Sequence, residues 1–393
     1  MKLGGAMAKR PPAGNQDAIV RGLILLDKDR AQAGPLLAQL KGGVRRWTDL
    51  TDREQRALSR GPLVDYLLER SYEFRSADPG RMISFAEAAC ALADGLETRR
   101  YGRQVVADLR ARAWVDLANA YRVMDDFDRA GPAFGRAQRL VGEGTGSLLL
   151  LAWVAELMAS YLADLRHFPE AISLLDQAQV VYARSCQDEA VGRTLVRLAH
   201  VLAQSNEPER AAVAYLRALW GMSPISPNRL ACVHGLVHCL VECGHPDFAQ
   251  SLLRENARLY RRAGRLIEYR RFWLEGKIAI GLHDYGKAEA KLNTARLAFL
   301  RVDQTYDAAL VSLDLAWIYA KEGRRQEIVW LVKKMLQTFQ ALGIARESFA
   351  SLLLLKDSCE AKRSIEALCG QIEGLMRLLP ELAPARGQKA KKA

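Results

Sequence analysis

The densest group of side chains able to bind metal or move protons lies between residues 232 and 245. His234 and His238 are one helical turn apart, and Cys232, Cys239, Cys243 and His245 stand close by. Two histidines at i and i+4 can share a divalent metal. Cys239 and Cys243, however, face a different way on the same helix, and no paired C-x-x-C accompanies them. The segment reads as a helix whose apolar side is filled with thiols, and no metal is expected. A second candidate is the run Gly142-Glu143-Gly144-Thr145-Gly146-Ser147. It has the glycines of a phosphate loop but lacks the Gly-Lys-Ser/Thr ending and has no strand before it. It reads as a linker. No Ser/His/Asp set stands in a nucleophile motif. The sequence therefore predicts a protein that is not an enzyme and that uses no cofactor.

The remaining chemistry is that of recognition. Arg254, Arg258, Arg261, Arg262, Arg265, Arg270 and Arg271 lie within 18 residues, interleaved with Tyr260 and Tyr269 and followed by Phe272 and Trp273. Arg254, Arg258 and Arg261 or Arg262 fall on one face by the i, i+4 rule. Arginines with aromatics suit phosphate and base contacts. They suit an acidic protein partner equally, and a solvated arginine face is the bland reading. More positive charge sits at the ends, in Lys2, Lys9 and Arg10 and in Lys389, Lys391 and Lys392. Such short basic stretches read as solvated tails.

Composition sets the outer bounds. The chain has 393 residues, a net charge of +12, 50% hydrophobic and 26% charged residues, enough apolar material for a sizeable core. Its start has no apolar run of signal-peptide length. Leu148 to Ala163 is the longest apolar stretch, but Glu156 interrupts it and it is short for a bilayer. Seven cysteines with no spacing framework suggest reduced thiols and a cytoplasmic protein.

These residues must be positioned by helices, because apolar spacing of 3–4 pervades the chain. In ARAWVDLANAYRVMDDFDRAGPAFGRAQRL, one helix face carries Trp114, Leu117, Ala118 and Tyr121. A break at Asp125-Asp126 follows, then a second face of Ala130, Phe134 and Ala137. The second-helix alanine recurs as Ala171, Ala211, Ala249, Ala288 and finally Ile328, at intervals of 41, 40, 38, 39 and 40. Twelve residues before each lies Ala118, Ala159, Ala199, Val237, Gly276 or Ala316. Four residues after each lies Phe134, Leu175, Tyr215, Leu253, Leu292 or Val332. Small groups let paired helices approach, and large ones fill the interface between pairs. Helix-stopping and capping residues separate the two helices: Ser205-Asn206, Gly244-His245-Pro246, His283-Asp284 and Glu322-Gly323.

The pattern W-x2-L-[GA]-x2-Y followed by A-x3-F-x2-A resembles the tetratricopeptide repeat. The period near 40 is longer than the usual 34 and resembles regulatory members of that superfamily, including bacterial peptide-sensing regulators. The resemblance implies an all-α fold: a right-handed α-solenoid of antiparallel helix pairs. The expected organisation is a basic N-terminus at 1–16, N-terminal helices at 17–62, a repeat array at 63–343, capping helices at 344–380 and a basic tail at 381–393. Within these, short helices fill 17–60, Thr51-x-x-Glu54 forms a capping box, and Arg346–Glu360 and Lys362–Leu378 close the array.

The resemblance also implies a binding surface lined by the first helices. It selects Asn119, Arg122, Glu156, Arg193, Arg197, His200, His234, His238, Trp273, Lys277, Asp314 and Trp317 as groove residues. Polar members would grip a peptide backbone or carboxylate. Trp273 and Trp317 would be apolar anchors. The expected function is a protein- or peptide-binding scaffold or regulator without catalytic activity and away from membranes. The alternative is a nucleic-acid-linked transcriptional regulator that uses the basic patch or helices within residues 51–75, with the array as sensor.

Overall fold

The computed structural model describes residues 16–42, 49–58, 61–75, 78–342, 352, 355, 356, 358, 359 and 363–381. The six terminal cations named above lie outside the described residues, as does most of the expected helix Arg346–Glu360. Among the described residues there are nineteen helices and no strand, so the fold is all-α. None of these helices is long and apolar enough to cross a membrane. The chain divides into two compact units, Met1–Val201 and Leu202–Ala393.

Unit 1 holds α1 (Gln16–Lys41), α2 (Asp52–Leu58), α3 (Gly61–Glu73), α4 (Pro79–Asp94), α5 (Thr98–Tyr101), α6 (Arg103–Val123), α7 (Phe127–Gly142), α8 (Leu148–Asp164), α9 (Phe168–Arg184) and most of α10 (Asp188–Gln204). Three successive helix pairs, α3/α4, α6/α7 and α8/α9, pack side by side. The N-terminal segment differs from expectation: α1 is one 26-residue helix that continues through Pro35, not several short ones. Its buried stripe of Ile19, Leu26 and Ala33 holds it to the unit. Asp29, also buried, accepts hydrogen bonds from Arg100 (2.8 and 2.5 Å) and from the Tyr101 hydroxyl (2.5 Å). Gly22 permits the close approach, because a Cβ there would lie 1.8 Å from the Tyr101 carbonyl oxygen. The capping box opens α2: Thr51 Oγ1 accepts from Glu54 N, and Thr51 N donates to the Glu54 carboxylate at 2.8 Å. The glycine run between α7 and α8 is a linker. Thr145 ties it to Asp108 through its backbone N–H and its hydroxyl, and Ser147 caps α8.

Unit 2 holds α11 (Pro208–Gly221), α12 (Arg229–Glu242), α13 (Pro246–Glu255), α14 (Ala257–Arg262), α15 (Arg265–Gly281), α16 (Tyr285–Arg301), α17 (Thr305–Lys321), α18 (Arg325–Leu342) and α19 (Ile365–Glu381). One second helix is broken into α13 and α14. At the break, Asn256 turns its side-chain amide back onto the Leu252 carbonyl (2.9 Å), a local bond that competes with the helix ladder.

The repeat register is visible residue by residue. Ala130, Ala171, Ala211, Ala249, Ala288 and Ile328 are all fully buried, and so are Phe134, Leu175, Leu292 and Val332 to within a percent. Where a small residue faces a large one the fit is tight. A Cβ on Gly235 would lie 2.2 Å from the Tyr215 ring, and one on Gly276 would lie 2.5 Å from Leu292 Cδ2. Of the expected core aromatics, Tyr121, Phe134 and Tyr215 are buried, and Trp114 is half-buried.

The turns repeat as strictly. Five residues before each second-helix position stands a residue with left-handed backbone: Asp125, Arg166, Asn206, Gly244, His283 and Gly323, with φ between 58° and 77°. Each ends its helix in the same way. The N–H of the next residue donates to the carbonyl five residues before it, as in Asp126 to Tyr121, His167 to Leu162, His245 to Leu240 and Arg324 to Tyr319. This is the Schellman arrangement, which satisfies carbonyls that the helix leaves open. Asp126 and Asp284 then cap the following helix by accepting from Arg129 N and Lys287 N.

Candidate binding faces

First helices of neighbouring pairs meet side to side, and the contacts follow a spacing rule. A residue meets a partner one repeat on, or one helical turn short of that. In unit 1, Asp116 accepts from Trp153 Nε1 at 2.9 Å, 37 residues on. Glu156 accepts from Arg193 Nε (2.7 Å) and Nη2 (2.8 Å), again 37 on. Ser160 accepts from Arg197 at 2.8 Å, also 37 on, and Asp164 pairs with Arg122 at 2.6 Å across 42 residues. Arg122 in addition donates to Asn119, which is buried.

Glu156 is the centre of this row. It is wholly buried, yet it carries two arginines and the Tyr182 hydroxyl. Burial works to raise its pKa. The Arg193 hydrogen bond and the charges of Arg197 and Arg193 outweigh that and hold the carboxyl below its ordinary value. Beside it, the Trp153 ring has Arg112 at 4.8 Å and Arg193 at 5.0 Å from its centroid. The Arg112 side chain is 43% exposed, against 19% for Arg193 and 22% for Arg197, so Arg112 is the guanidinium of this cluster offered most to solvent.

Glu156 and Asn119 are buried, each accepting a hydrogen bond from an arginine on a nearby turn or helix. His200 is exposed on α10. Trp153, Asp116, Arg112, Ser160 and Tyr182 belong to the row and were not among the expected groove residues. A search for complementary side chains at i+37 would have found the first helix partners.

Unit 2 repeats the device. Asp314, buried, accepts from Trp273 Nε1 at 2.5 Å and lies 3.5 Å from Lys277 Nζ. Trp273 packs edge-on against Phe299, and Trp317 donates to Glu373 at 3.1 Å. Both indoles are half-buried and pack against the core. His238 pairs with Glu242 at 3.3 Å. His234 faces Tyr260, its Nδ1 3.5 Å from the hydroxyl. Burial, then the charges of His238 and Arg270, push its pKa down to about 4.

The arginine segment separates into two parts. Arg271 is neutralised by Glu268 and Glu275, and Arg270 lies 3.9 Å from Asp307. Arg254, Arg258, Arg261, Arg262 and Arg265 are exposed. They do not share one helix, because α13 ends at Glu255 and α14 begins at Ala257. The aromatics expected among them turn inward: Tyr260 is fully buried, and Tyr269, Phe272 and Trp273 pack against the core.

No protein-family model matches the sequence, and neither does any curated protein sequence. Solved structures do match it in fold. The chain is similar to a Rap protein complexed with competence and sporulation factor, with a TM-score of 0.62 and 14% identity over 82% of this chain and 89% of that one. It is similar to aspartyl phosphate phosphatase F from Bacillus subtilis, with a TM-score of 0.54 and 18% identity over 78% and 80% of the two chains. The apo form of RapI gives 0.53 and 12% over 81% and 97%. The chain thus shares the all-α, paired-helix fold of these structures.

Proposed function

We propose that this chain is a protein- or peptide-binding regulator or scaffold that acts by holding its partner and not by catalysis. The partner docks on the first-helix face of unit 1. The carrying observation is the row Arg112–Trp153–Arg193, held in place by Asp116 and Glu156. A ring and guanidinium groups fixed in advance by one wholly buried and one largely covered carboxylate lose little freedom when a partner arrives, and preorganisation of this kind favours affinity. Arginine and tryptophan are also the side chains that dominate protein interfaces. The similar structure that holds competence and sporulation factor supports a fold able to receive such a factor. All seven cysteines are free, which fits a reducing cytoplasm.

The test is recovery of partners on the tagged full chain from its native cell, read by mass spectrometry, with and without Arg112→Ala. The loss of one half-exposed arginine should leave helicity intact and reduce recovery of the partner. Recovery equal to that of the unaltered protein sinks the assignment of this face.

A further inference from the structure

We propose that Arg254, Arg258, Arg261, Arg262 and Arg265 form a second docking surface, on unit 2, for an acidic polypeptide segment. Among the described residues, none of the five has an ion-pair partner, whereas neighbouring Arg270 and Arg271 do. The one bond recorded for them is from Arg254 to the Gln250 amide at 3.1 Å. Glu255 is the only carboxylate within the stretch 254–265. Five exposed cations against one anion make a strong local positive potential, since each charge raises the cost of its neighbours unless an anion arrives.

The fold fixes where these groups point. Tyr260 is fully buried among Val233, Val237, Leu253, Leu274 and Ile278, and so pins the short helix α14 by one side. At 100° per residue, Arg258 and Arg262 stand almost opposite Tyr260 and on one face with each other. Arg261 flanks them. Arg254 enters from the end of α13, and Arg265 opens α15 after Gly264, whose φ of 96° sharply redirects the chain. With a break at Asn256 and a turn at Gly264, three consecutive helices each contribute arginines within one short stretch of chain.

The chemistry of this stretch favours polypeptide over nucleic acid. The stretch 254–265 contains no lysine. Protein interfaces are enriched in arginine and depleted in lysine. Single-stranded nucleic acid is gripped by exposed aromatic rings on which bases stack, and the rings here are turned into the core. Duplex readout uses a continuous helix laid in a groove, and α14 has six residues. Exposed Leu266 adds an apolar contact beside the charges. Guanidinium forks pair bidentately with the carboxylates of Asp and Glu side chains.

The test uses the full chain and two labelled probes of equal charge, a Glu/Leu peptide and a single-stranded DNA oligonucleotide, each followed by fluorescence anisotropy over a salt series. The peptide should bind, more weakly as salt rises. Arg258→Glu, Arg261→Glu and Arg262→Glu together should weaken it by about tenfold or more and flatten the salt slope. The same three positions changed to Gln should give a smaller loss. A charge-matched control, Arg21→Glu, Arg184→Glu and Arg301→Glu, should bind as the unaltered protein does. Circular dichroism of each variant establishes that it is folded. Binding of the oligonucleotide but not the peptide, binding of neither, or a triple reversal that binds the peptide unchanged would each overturn the proposal. Failure here leaves the first-helix face of unit 1 untouched, because the two surfaces share no residue.

Discussion

Arg193 grips the wholly buried Glu156 with two hydrogen bonds, Nε to Oε1 at 2.7 Å and Nη2 to Oε2 at 2.8 Å, across two neighbouring first helices. Breaking such a pair from the arginine side strands a buried charge, which typically costs about 3–5 kcal/mol. Arg193→Met should therefore destabilise in chemical denaturation, by less than a full stranding because Arg197 still pairs with Glu156 at 2.8 Å. Glu156→Gln should cost less, because both arginines keep an edge in water. The folded carboxyl titrates below its unfolded value, so the stability it contributes is present above about pH 4.3 and is lost as pH falls through the folded value. Acid unfolding followed by circular dichroism should lose part of its steepness in Glu156→Gln. An identical acid profile would mean that the pair does not stabilise the fold.

The same face was only partly legible in the sequence. Arg193 and Arg197 sit at positions that a first-helix count selects, and the alanine register marks the pairs from α6/α7 to α17/α18. The burial of Glu156 and Asp314 was not legible, since exposure along a helix depends on how far the next helix slides past it. That slide is one turn less than the repeat, 37 residues against about 40. The bonds by which Trp273 and Trp317 donate their indole N–H to Asp314 and Glu373 were not legible either. The break at Asn256 was likewise hidden, because asparagine inside a helical pattern gives no certain stop. The terminal lysines lie outside the described residues.

His234 should make unit 2 acid-sensitive. It is held to about 4 by burial, with the charges of His238 and Arg270 adding, and its unfolded pKa is about 6.5. The neutral form is the folded one, so stability is complete above about pH 6.5 and drains away as pH falls toward 4. Melting temperature against pH should flatten in that window for His234→Leu. Parallel curves for the two proteins would contradict the placement of His234 beside Tyr260.

The left-handed turn sites offer a comparison within one chain. A β-carbon in that conformation costs about 1 kcal/mol or more, and glycine escapes it. His283→Gly should raise stability slightly or leave it unchanged, after the extra freedom glycine has when unfolded. Gly244→Ala and Gly323→Ala should each lower it by about 1 kcal/mol. Equal effects of opposite sign to these, measured by urea denaturation, would mean that the six turns are not built alike.

The most direct measurement of the central claim is site-specific photo-crosslinking of the full chain in its native cell. One probe replaces Arg112, on the first-helix face of unit 1. The other replaces Val180, which is 49% exposed on the second helix α9. A partner adduct is expected from position 112 and none from position 180. Adducts from position 180 with none from position 112 would contradict it.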